Sequence, residues 1–533
     1  MKKSQEIFLK NLISKGYFPE ELPPLFSTRD FSRIVVDLIN DKSMFNKEPF
    51  HSKALIITIP KDENNRRKLC IPNPHHQLLL CNAIVMNWDE LQTFYKKSNF
   101  SLTRPVRKKD STRAIERQKP FDEITRQRII KSTASRYLLK TDVSRYYPTI
   151  YTHSISWALH GKSEAKSNIK DKNLLGNVLD LCVRNTKEQQ TLGIPIGPDT
   201  SLVISEIMGT AIDLRLQESI GKLKGFRYVD DIYMYFSSLG EAEEALHHIT
   251  NIFAEFELEL NSQKTKIIEL HNEVEPEWIS ELRLHTVRKN SEKDIISYFS
   301  KMMSYADKYP NDKVIKYGIK RIRGVLISEE SWSIYESCLL KSALADSSTI
   351  PVILDIFLDY EAASYELDYD NIQETLNYII ELNSKFSYSY ELLWSLWALY
   401  LLELKLEPRN YESLSRVNEP LVALMSLYLV SVGFLEDEFD RTLWQEHMRS
   451  DELYTDYWIL AYEAYKRGWL NSVSGKDYIN HKKVFDYLRN KDVSFIVDVD
   501  EAIQDYRNDA RLVVDYDDSE GSGKYYGGGG GGY

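Results

Sequence analysis

Cysteine is scarce and unpatterned in this sequence: Cys70, Cys81, Cys182 and Cys338 stand alone among 533 residues. With no C-x-x-C pair, they make neither a disulfide framework nor a structural zinc site, and they point to a reducing compartment. None of the 11 histidines forms an HExxH or comparable zinc pattern. The glycines keep no period, which excludes a fibrous protein. No hydrophobic run is long enough for a bilayer, and even Leu421 to Leu435 falls short. The start, MKKSQEIFLKNLISKG, is basic but lacks the sustained apolar run and small-residue cleavage site of a signal peptide, so no membrane partner and a cytoplasmic location are expected. What is present is core material. At 43% hydrophobic residues, burial can offset the entropy of ordering the chain, which excludes a disordered tail protein. The length asks for two or three such cores.

Charge is divided unevenly. The net value of −11 argues weakly against a nucleic-acid partner. Lys96 to Lys140, however, holds 14 Lys and Arg against 4 Asp and Glu, whereas Pro351 to Tyr533 holds 16 against 34. Screening removes charges beyond about 10 Å, so the local basic patch is able to bind a phosphate backbone whatever the global balance. The acidic half is expected to face solvent or a protein partner.

Along the chain, residues 1–95 read as mostly helical, forming an N-terminal helical region and the start of the next unit. They are interrupted by ELPPLFSTRDFS and by IPNP at Ile71 to Pro74, where the prolines block helix continuation. Residues 96–140 are the basic segment, ending in a strand at RYLLKTDV. Residues 141–275 alternate strands and helices and contain every chemically suggestive motif. Residues 276–515 show successive apolar helical stretches with no strict repeat signature, an irregular or stacked-pair helical array. Tyr390, Trp394, Trp397, Leu401 and Leu404 recur at three- and four-residue steps, placing them on one face whose plain role is core packing. Residues 516–533, ending GSGKYYGGGGGGY, read as a flexible tail bearing Tyr525, Tyr526 and Tyr533.

The chemistry begins at Gly225 to Phe236, GFRYVDDIYMYF, which reads as a β-hairpin with paired aspartates at its tip. Adjacent aspartates often do no more than cap a turn. Here apolar strands lift both carboxylates from a core, which is costly unless a cation neutralises them. A third acid, Asp142, ends an apolar strand in LLKTDVSRYYPTI. Together Asp142, Asp230 and Asp231 suit two divalent cations about 3.5–4 Å apart, a pair that stabilises the attacking and leaving oxygens in phosphoryl transfer. An oxygen-only site suits Mg2+, with Mn2+ as an in-vitro substitute. Tyr147 is placed to lie under an incoming sugar and exclude a 2′-hydroxyl, while the alternative for Tyr146 and Tyr147 is simple core packing. Between the acids, LGIPIGPDTSLVISE sets Gly193, Pro195 and Gly197 in a restricted loop before a helix starting near Asp199, Thr200 or Ser201, able to admit a base or template strand closely or to be a plain junction. Lys264 in LELNSQKTKI is a candidate to offset charge on a leaving pyrophosphate, or a solvated surface lysine. Arg136 and Lys140 are candidates for triphosphate oxygens, and Arg126 and Arg128 for template or triphosphate.

These four elements, the acid-bearing strand, Gly/Pro loop and helix, YVDD hairpin and N-x-x-K-T segment, resemble in kind and order the palm of reverse transcriptases, over approximately residues 60 to 270. Arg66 to Pro74, Gln77 and Asn87-Trp88 are similar to the fingers of bacterial members. LPPLFSTRDF and GIPIGPDTS resemble more specifically the abortive-infection type of defence-associated bacterial reverse transcriptase. The resemblance implies an α+β fold of fingers and palm followed by an all-α, HEAT-like or irregular repeat domain. It implies Asp142, Asp230 and Asp231 as catalytic metal ligands, joined by the Val143 backbone carbonyl, with Lys264 as a catalytic lysine and Tyr147 as the sugar-selecting aromatic. Gly197 and its neighbours would support the template–nucleotide pair. Deoxynucleoside triphosphates, a DNA product, a non-coding RNA template or cofactor, a companion defence protein and homo-oligomers are the implied partners.

The sequence departs from the family at one informative place. Ile196 stands where retroviral, retron and group II enzymes usually have Gln before the loop glycine, and an aliphatic chain cannot make that residue's hydrogen bonds. The expected activity is therefore Mg2+-dependent DNA synthesis, with unconventional priming in view and Tyr525, Tyr526 and Tyr533 as candidate protein primers. The alternatives are a template-independent deoxynucleotidyl transferase, a conventional retroelement enzyme, and a catalytically silent scaffold.

Overall fold

The computed structural model describes residues 1–45, 48–61, 65–270 and 275–510. A mixed α/β region with three small sheets is followed by a long, largely α-helical stretch, the architecture of reverse transcriptase fingers and palm with a helical C-terminal part.

Eight strands carry the α/β region: β1 (Leu55–Pro60), β2 (Arg66–Ile71), β3 (Pro105–Val106), β4 (Glu116–Arg117), β5 (Tyr137–Thr141), β6 (Gly225–Tyr228), β7 (Asp231–Phe236) and β8 (Lys266–Glu269). β1 and β2 form an antiparallel hairpin, as do β3 and β4. The other four make one antiparallel sheet in the order β6-β7-β5-β8. Side chains alternate across β5: Leu139 packs with Ile232 and Met234 into the main core, whereas Leu138 joins Ile124, Phe226, Tyr228, Tyr233 and Tyr235 in a second cluster on the opposite face. Helix Glu123–Ser132 covers that second face against β6 and β7, and helix Leu239–Glu255 packs on β5 and β7.

Two expectations for the first 95 residues are corrected. The β1–β2 hairpin interrupts what reads as mostly helix, because a six-residue apolar run such as LIITIP fits either state and only pairing with β2 decides it. The IPNP prolines start a helix instead of blocking one. Asn73 caps helix Pro74–Met86 by accepting the His75 N–H, and Pro74 occupies the first turn, where a missing N–H costs nothing.

In the helical stretch, helices Ser389–Leu401 and Pro420–Ser431 are surrounded on all sides. The aromatic series packs in the core as its spacing suggests, but burial is not confined to one face: every residue from Ser389 to Leu399 is buried, and Leu404 lies beyond the helix end. A helix apolar all round belongs inside an array. This stretch also grips the β1–β2 hairpin and the segments around Asn73 and Glu21. Arg66 forks both oxygens of Glu391 at 2.7 Å and lies 3.7 Å over the Tyr388 ring, Asn73 donates to the Leu453 carbonyl at 2.8 Å, and Trp394 donates to the Glu21 carbonyl. Among the described residues no helix is long and apolar enough to cross a membrane.

The Glu391 carboxylate is 2% exposed, so removing it leaves the Arg66 guanidinium with Thr58 and the Tyr388 ring but without its counter-charge, at an interface between distant chain segments. Glu391→Ala is expected to lower unfolding stability by about 2–4 kcal/mol, read by chemical denaturation, with Glu391→Gln losing less because it keeps one acceptor.

Candidate active site

The site begins with the register of β5. Thr141 pairs with Ile232 of β7, and Lys140 pairs with Lys266 of β8. Carrying both ladders one or two residues past the strand end brings Asp142 level with Asp231 on one side and with Lys264 on the other. Adjacent strands lie about 4.8 Å apart, so three charged side chains meet at one sheet end. Lys264 Nζ donates to Asp142 Oδ2 at 2.7 Å. The Asp142 backbone is pinned as well, its carbonyl accepting the Asn261 N–H while Ser144 N–H donates to the Glu259 carbonyl, which leaves Val143 bridged to Leu260.

Asp230 arrives through the β6–β7 turn. Tyr228 pairs with Asp231, so the loop is Val229-Asp230, and Val229 has φ 56°. A positive φ at the first loop position matches strand twist in a two-residue hairpin, yet it is a strained choice for a β-branched residue. The turn is clamped at both backbone groups: Val229 N–H donates to Thr103 Oγ1 at 3.1 Å, and the Val229 carbonyl accepts from Arg227 at 2.8 Å.

The electrostatics show that the acids feel one another. Burial, with the charges of Asp231 and Asp142 added to it, pushes the Asp230 carboxyl up to about 7. Burial also raises Asp231, opposed by Lys140 and Lys264 and reinforced by Asp142. For Lys264, burial works against the ammonium, but the Asp142 hydrogen bond and the neighbouring acids outweigh it and hold the group above the ordinary lysine range.

The donor chemistry fits a hard divalent cation, being carboxylate oxygen alone, and Asp142 Oδ1 is buried without a hydrogen-bond partner, an acceptor left over for one. Among the described residues, however, no group of three or more His, Cys, Asp or Glu side chains is close enough to hold a metal ion. Lys264 takes the other Asp142 oxygen.

The remaining candidates divide. Lys140 acts on Asp231 and stands 5.5 Å from the Tyr233 ring, at the site. Tyr147 lies on the short helix Tyr146–Thr149, so strand alternation does not separate the two tyrosines. Tyr146 is buried and donates to the Ser205 carbonyl, while half-buried Tyr147 feels the Asp230 charge and accepts from Ser205 Oγ at 3.3 Å. Arg136 precedes β5 at the end away from Asp142, about 20 Å along the strand at roughly 3.3 Å per residue, and is paired with Glu269. Arg126 pairs with Glu123 on the exposed side of its helix, and Arg128 faces Tyr235 on the second sheet face.

In the Gly/Pro loop, close approach is met from within the protein. A side chain at Gly197 (φ 125°) would come within 2.7 Å of Pro19, and one at Gly193 within 2.8 Å of the Pro148 carbonyl. The Pro195 carbonyl accepts from Ser201. Ile196 packs against the core while its carbonyl accepts the Cys70 N–H. Helix Asp199–Ile220 starts at Asp199, whose N–H is taken by the Gly16 carbonyl and whose buried carboxylate is forked by Arg113. That terminus is thus occupied by the chain's own groups. Tyr525, Tyr526 and Tyr533 lie outside the described residues.

Sequence reasoning missed the network under the turn. Arg227, Glu206 and Asp213, each 2% exposed or less, pair with one another there. The signal was the arginine within GFRYVDD, a charge in a strand whose neighbours are all apolar or aromatic.

An antiparallel sheet presenting acids at the end of an inner strand and at a hairpin tip has the form of a polymerase palm. Residues 59–299 match the family model for Reverse transcriptase (RNA-dependent DNA polymerase), so a reverse-transcriptase-like domain covers that part of the chain. No curated protein matches the sequence. Similar solved structures include apo telomerase from Candida tropicalis (10% identity, TM-score 0.32, covering 76% of this chain and 71% of that one) and telomerase from Candida albicans with a fragment of telomeric RNA (12% identity, TM-score 0.28, covering 68% and 69%).

A carboxyl whose folded pKa lies above its unfolded value binds its proton more tightly when folded. Its contribution is therefore fully present only below the ordinary carboxylate value of 3.8 and is lost progressively as pH rises from there through about 7. In the presence of a chelator, wild-type protein is expected to lose thermal stability from pH 5 to 8 more steeply than Asp230→Asn, with the variant the more stable of the two at pH 8. Parallel melting curves would contradict the assignment.

Proposed function

We propose that this chain is a DNA polymerase of the reverse transcriptase class that adds deoxynucleotides by phosphoryl transfer. The observation that carries this reading is the meeting of Asp142, Asp230, Asp231 and Lys264 at one sheet end, inside the segment matched by the reverse transcriptase family model. Asp142 and Asp230, with Asp231 beside them and the Val143 carbonyl in support, would hold Mg2+, or Mn2+ in vitro. When bound, such ions neutralise charge on the attacking and leaving oxygens. Lys264 would exchange its Asp142 partner for the leaving pyrophosphate. Lys140 would face the triphosphate, and Tyr147 would press against the sugar edge where a 2′-hydroxyl would stand. Gly193, Pro195 and Gly197 would shape the template side through the loop backbone, with Arg126, Arg128 and Arg136 on outer surfaces available to the strands.

The LPPLFSTRDF and GIPIGPDTS motifs support a place in antiphage defence, with a non-coding RNA, a companion protein or a second copy of the chain as partners. Ile196 in place of Gln supports unconventional priming, for which the C-terminal tyrosines are the candidates. A second reading, a silent scaffold, is favoured by the Lys264–Asp142 ion pair and by the lack of a three-ligand group among the described residues.

Purified protein given Mg2+ and each labelled deoxynucleotide, with and without RNase, separates these readings. Incorporation is expected, and Asp230→Ala/Asp231→Ala should reduce it at least about a thousandfold. Loss after RNase identifies an RNA template or cofactor, and persistence identifies non-templated addition. Equal incorporation by wild type and the double variant would defeat the polymerase reading.

A further inference from the structure

Arg227 is fully buried inside β6, and each of its five N–H donors is used. Nε and one Nη reach the two oxygens of Asp213 at 2.9 Å, and the Nη groups reach the oxygens of Glu206 at 2.9 and 3.1 Å. The fifth bond goes to the Val229 carbonyl at 2.8 Å. Glu206 Oε2 also accepts from Thr103 Oγ1 at 3.2 Å, and that same oxygen of Thr103 accepts the Val229 N–H. The two backbone groups of Val229 are therefore held by two side chains that meet on one carboxylate. Asp213 is fixed in turn by Ser98 at 2.7 Å. The guanidinium fits because helix Asp199–Ile220 carries Gly209 beneath it, where a Cβ would stand 2.4 Å from Arg227 Cζ.

A buried ion pair is weak evidence for a stabilising role, since apolar residues of similar size commonly do as well. Its connection to the strained turn is more specific. The peptide that follows Val229 carries Asp230, so any relaxation of φ at Val229 would swing that carboxylate away from Asp142.

We infer that Arg227, Glu206, Asp213 and Thr103 form a positioning network that holds the Val229–Asp230 turn in its strained form and thereby sets where the Asp230 and Asp231 carboxylates stand. This role rests on the polymerase reading above. Arg227 touches no reacting atom; it acts through the backbone of Val229. Lysine is a poor substitute, because a point-like ammonium with three donors cannot bridge two carboxylates and a carbonyl in a plane.

The test uses the full chain and two variants, Thr103→Val, which keeps the side-chain shape, and Arg227→Lys. Arg467→Lys serves as a control, because it perturbs another ion pair, half-buried Arg467 on buried Glu463, in the helical stretch. Site binding of Mn2+ alone is followed by electron paramagnetic resonance, with Asp230→Asn marking the signal that belongs to the acids. Both test variants are expected to weaken this Mn2+ binding about fivefold or more and to lower kcat about tenfold to a hundredfold, with KM for the deoxynucleotide within about threefold. Arg467→Lys should lower the melting temperature without either change. The inference is overturned if natively folded Thr103→Val keeps Mn2+ affinity and kcat within about twofold of wild type, or if the control reproduces both losses. Wild-type protein that binds Mn2+ at the acids but incorporates nothing would overturn the polymerase reading alone, because the Mn2+ comparison still reads the network. Absence of Mn2+ binding sensitive to Asp230→Asn would overturn both.

Discussion

Strand β5 runs between β7 and β8, and because both pairings are antiparallel and unbroken, the residue that leaves it, Asp142, is delivered to a fixed height beside Asp231 and Lys264. Each other feature of the site depends on this register. A slip of one residue would reverse the faces of the strand, turning Leu139 out of the main core and Lys140 into it. Burial of Leu138 on one face and Leu139 on the other therefore fixes the position of the carboxylate as firmly as any contact at the site. The backbone bonds from Asp142 and Ser144 to Asn261 and Glu259 carry the ladder on past the regular strand, so Asp142 is held at both its main chain and its side chain.

Such delivery sets like charges together, and the protein answers with two kinds of compensation. At the site the compensation is partial. Lys264 is a single exposed lysine on one Asp142 oxygen, and burial together with the uncancelled charges of Asp231 and Asp142 pushes the Asp230 carboxyl up to about 7. Beneath the site it is the hydrogen bonding that is complete, with all five donors of one planar guanidinium used on two buried carboxylates and a backbone carbonyl. A fully hydrogen-bonded foundation below an undercompensated set of acids is the division of labour expected where a charged reaction partner is to supply the remaining balance.

Much of this was legible in the sequence, for stated reasons. The hairpin at GFRYVDDIYMYF is local, its strands and its loop lying within twelve residues, so β-propensity and the paired acids announce it together. The helical stretch was equally plain, because its apolar periodicity persists over many turns. The β1–β2 hairpin was not, since LIITIP and RRKLCI carry no turn signature that fixes their pairing, and part of their stability comes from Glu391, more than three hundred residues away. Glycine reads as a sign of close approach, and the approach seen here is the protein's own: a Cβ at Gly197 would meet Pro19 and one at Gly193 the Pro148 carbonyl. Whether a small residue makes space for the chain or for something else is a tertiary fact, invisible in the order of residues. The same applies to Arg227, whose partners Glu206 and Asp213 lie 21 and 14 residues earlier on helix Asp199–Ile220.

The charge of the basic segment shows how far a count of residues can mislead until each charge is placed. Arg113 is spent on Asp199 and on the Phe18 and Gly197 carbonyls, Lys108 on Glu116, and Arg136 on Glu269, while Arg107 lies 4.2 Å over the Phe8 ring. The Arg113 and Arg107 contacts tie the segment to Phe18 and Phe8 and to the Gly/Pro loop, whereas the Lys108 pair lies within the segment and the Arg136 pair reaches β8. A guanidinium half-buried against a carboxylate is not available to a phosphate without paying to break that pair. An exposed lysine such as Lys109 or Lys119 is available at little cost. Any phosphate binding by this segment should therefore follow its exposed cations, Arg136 among them, while half-buried Arg113 holds the Gly/Pro loop through Asp199 and the Gly197 carbonyl.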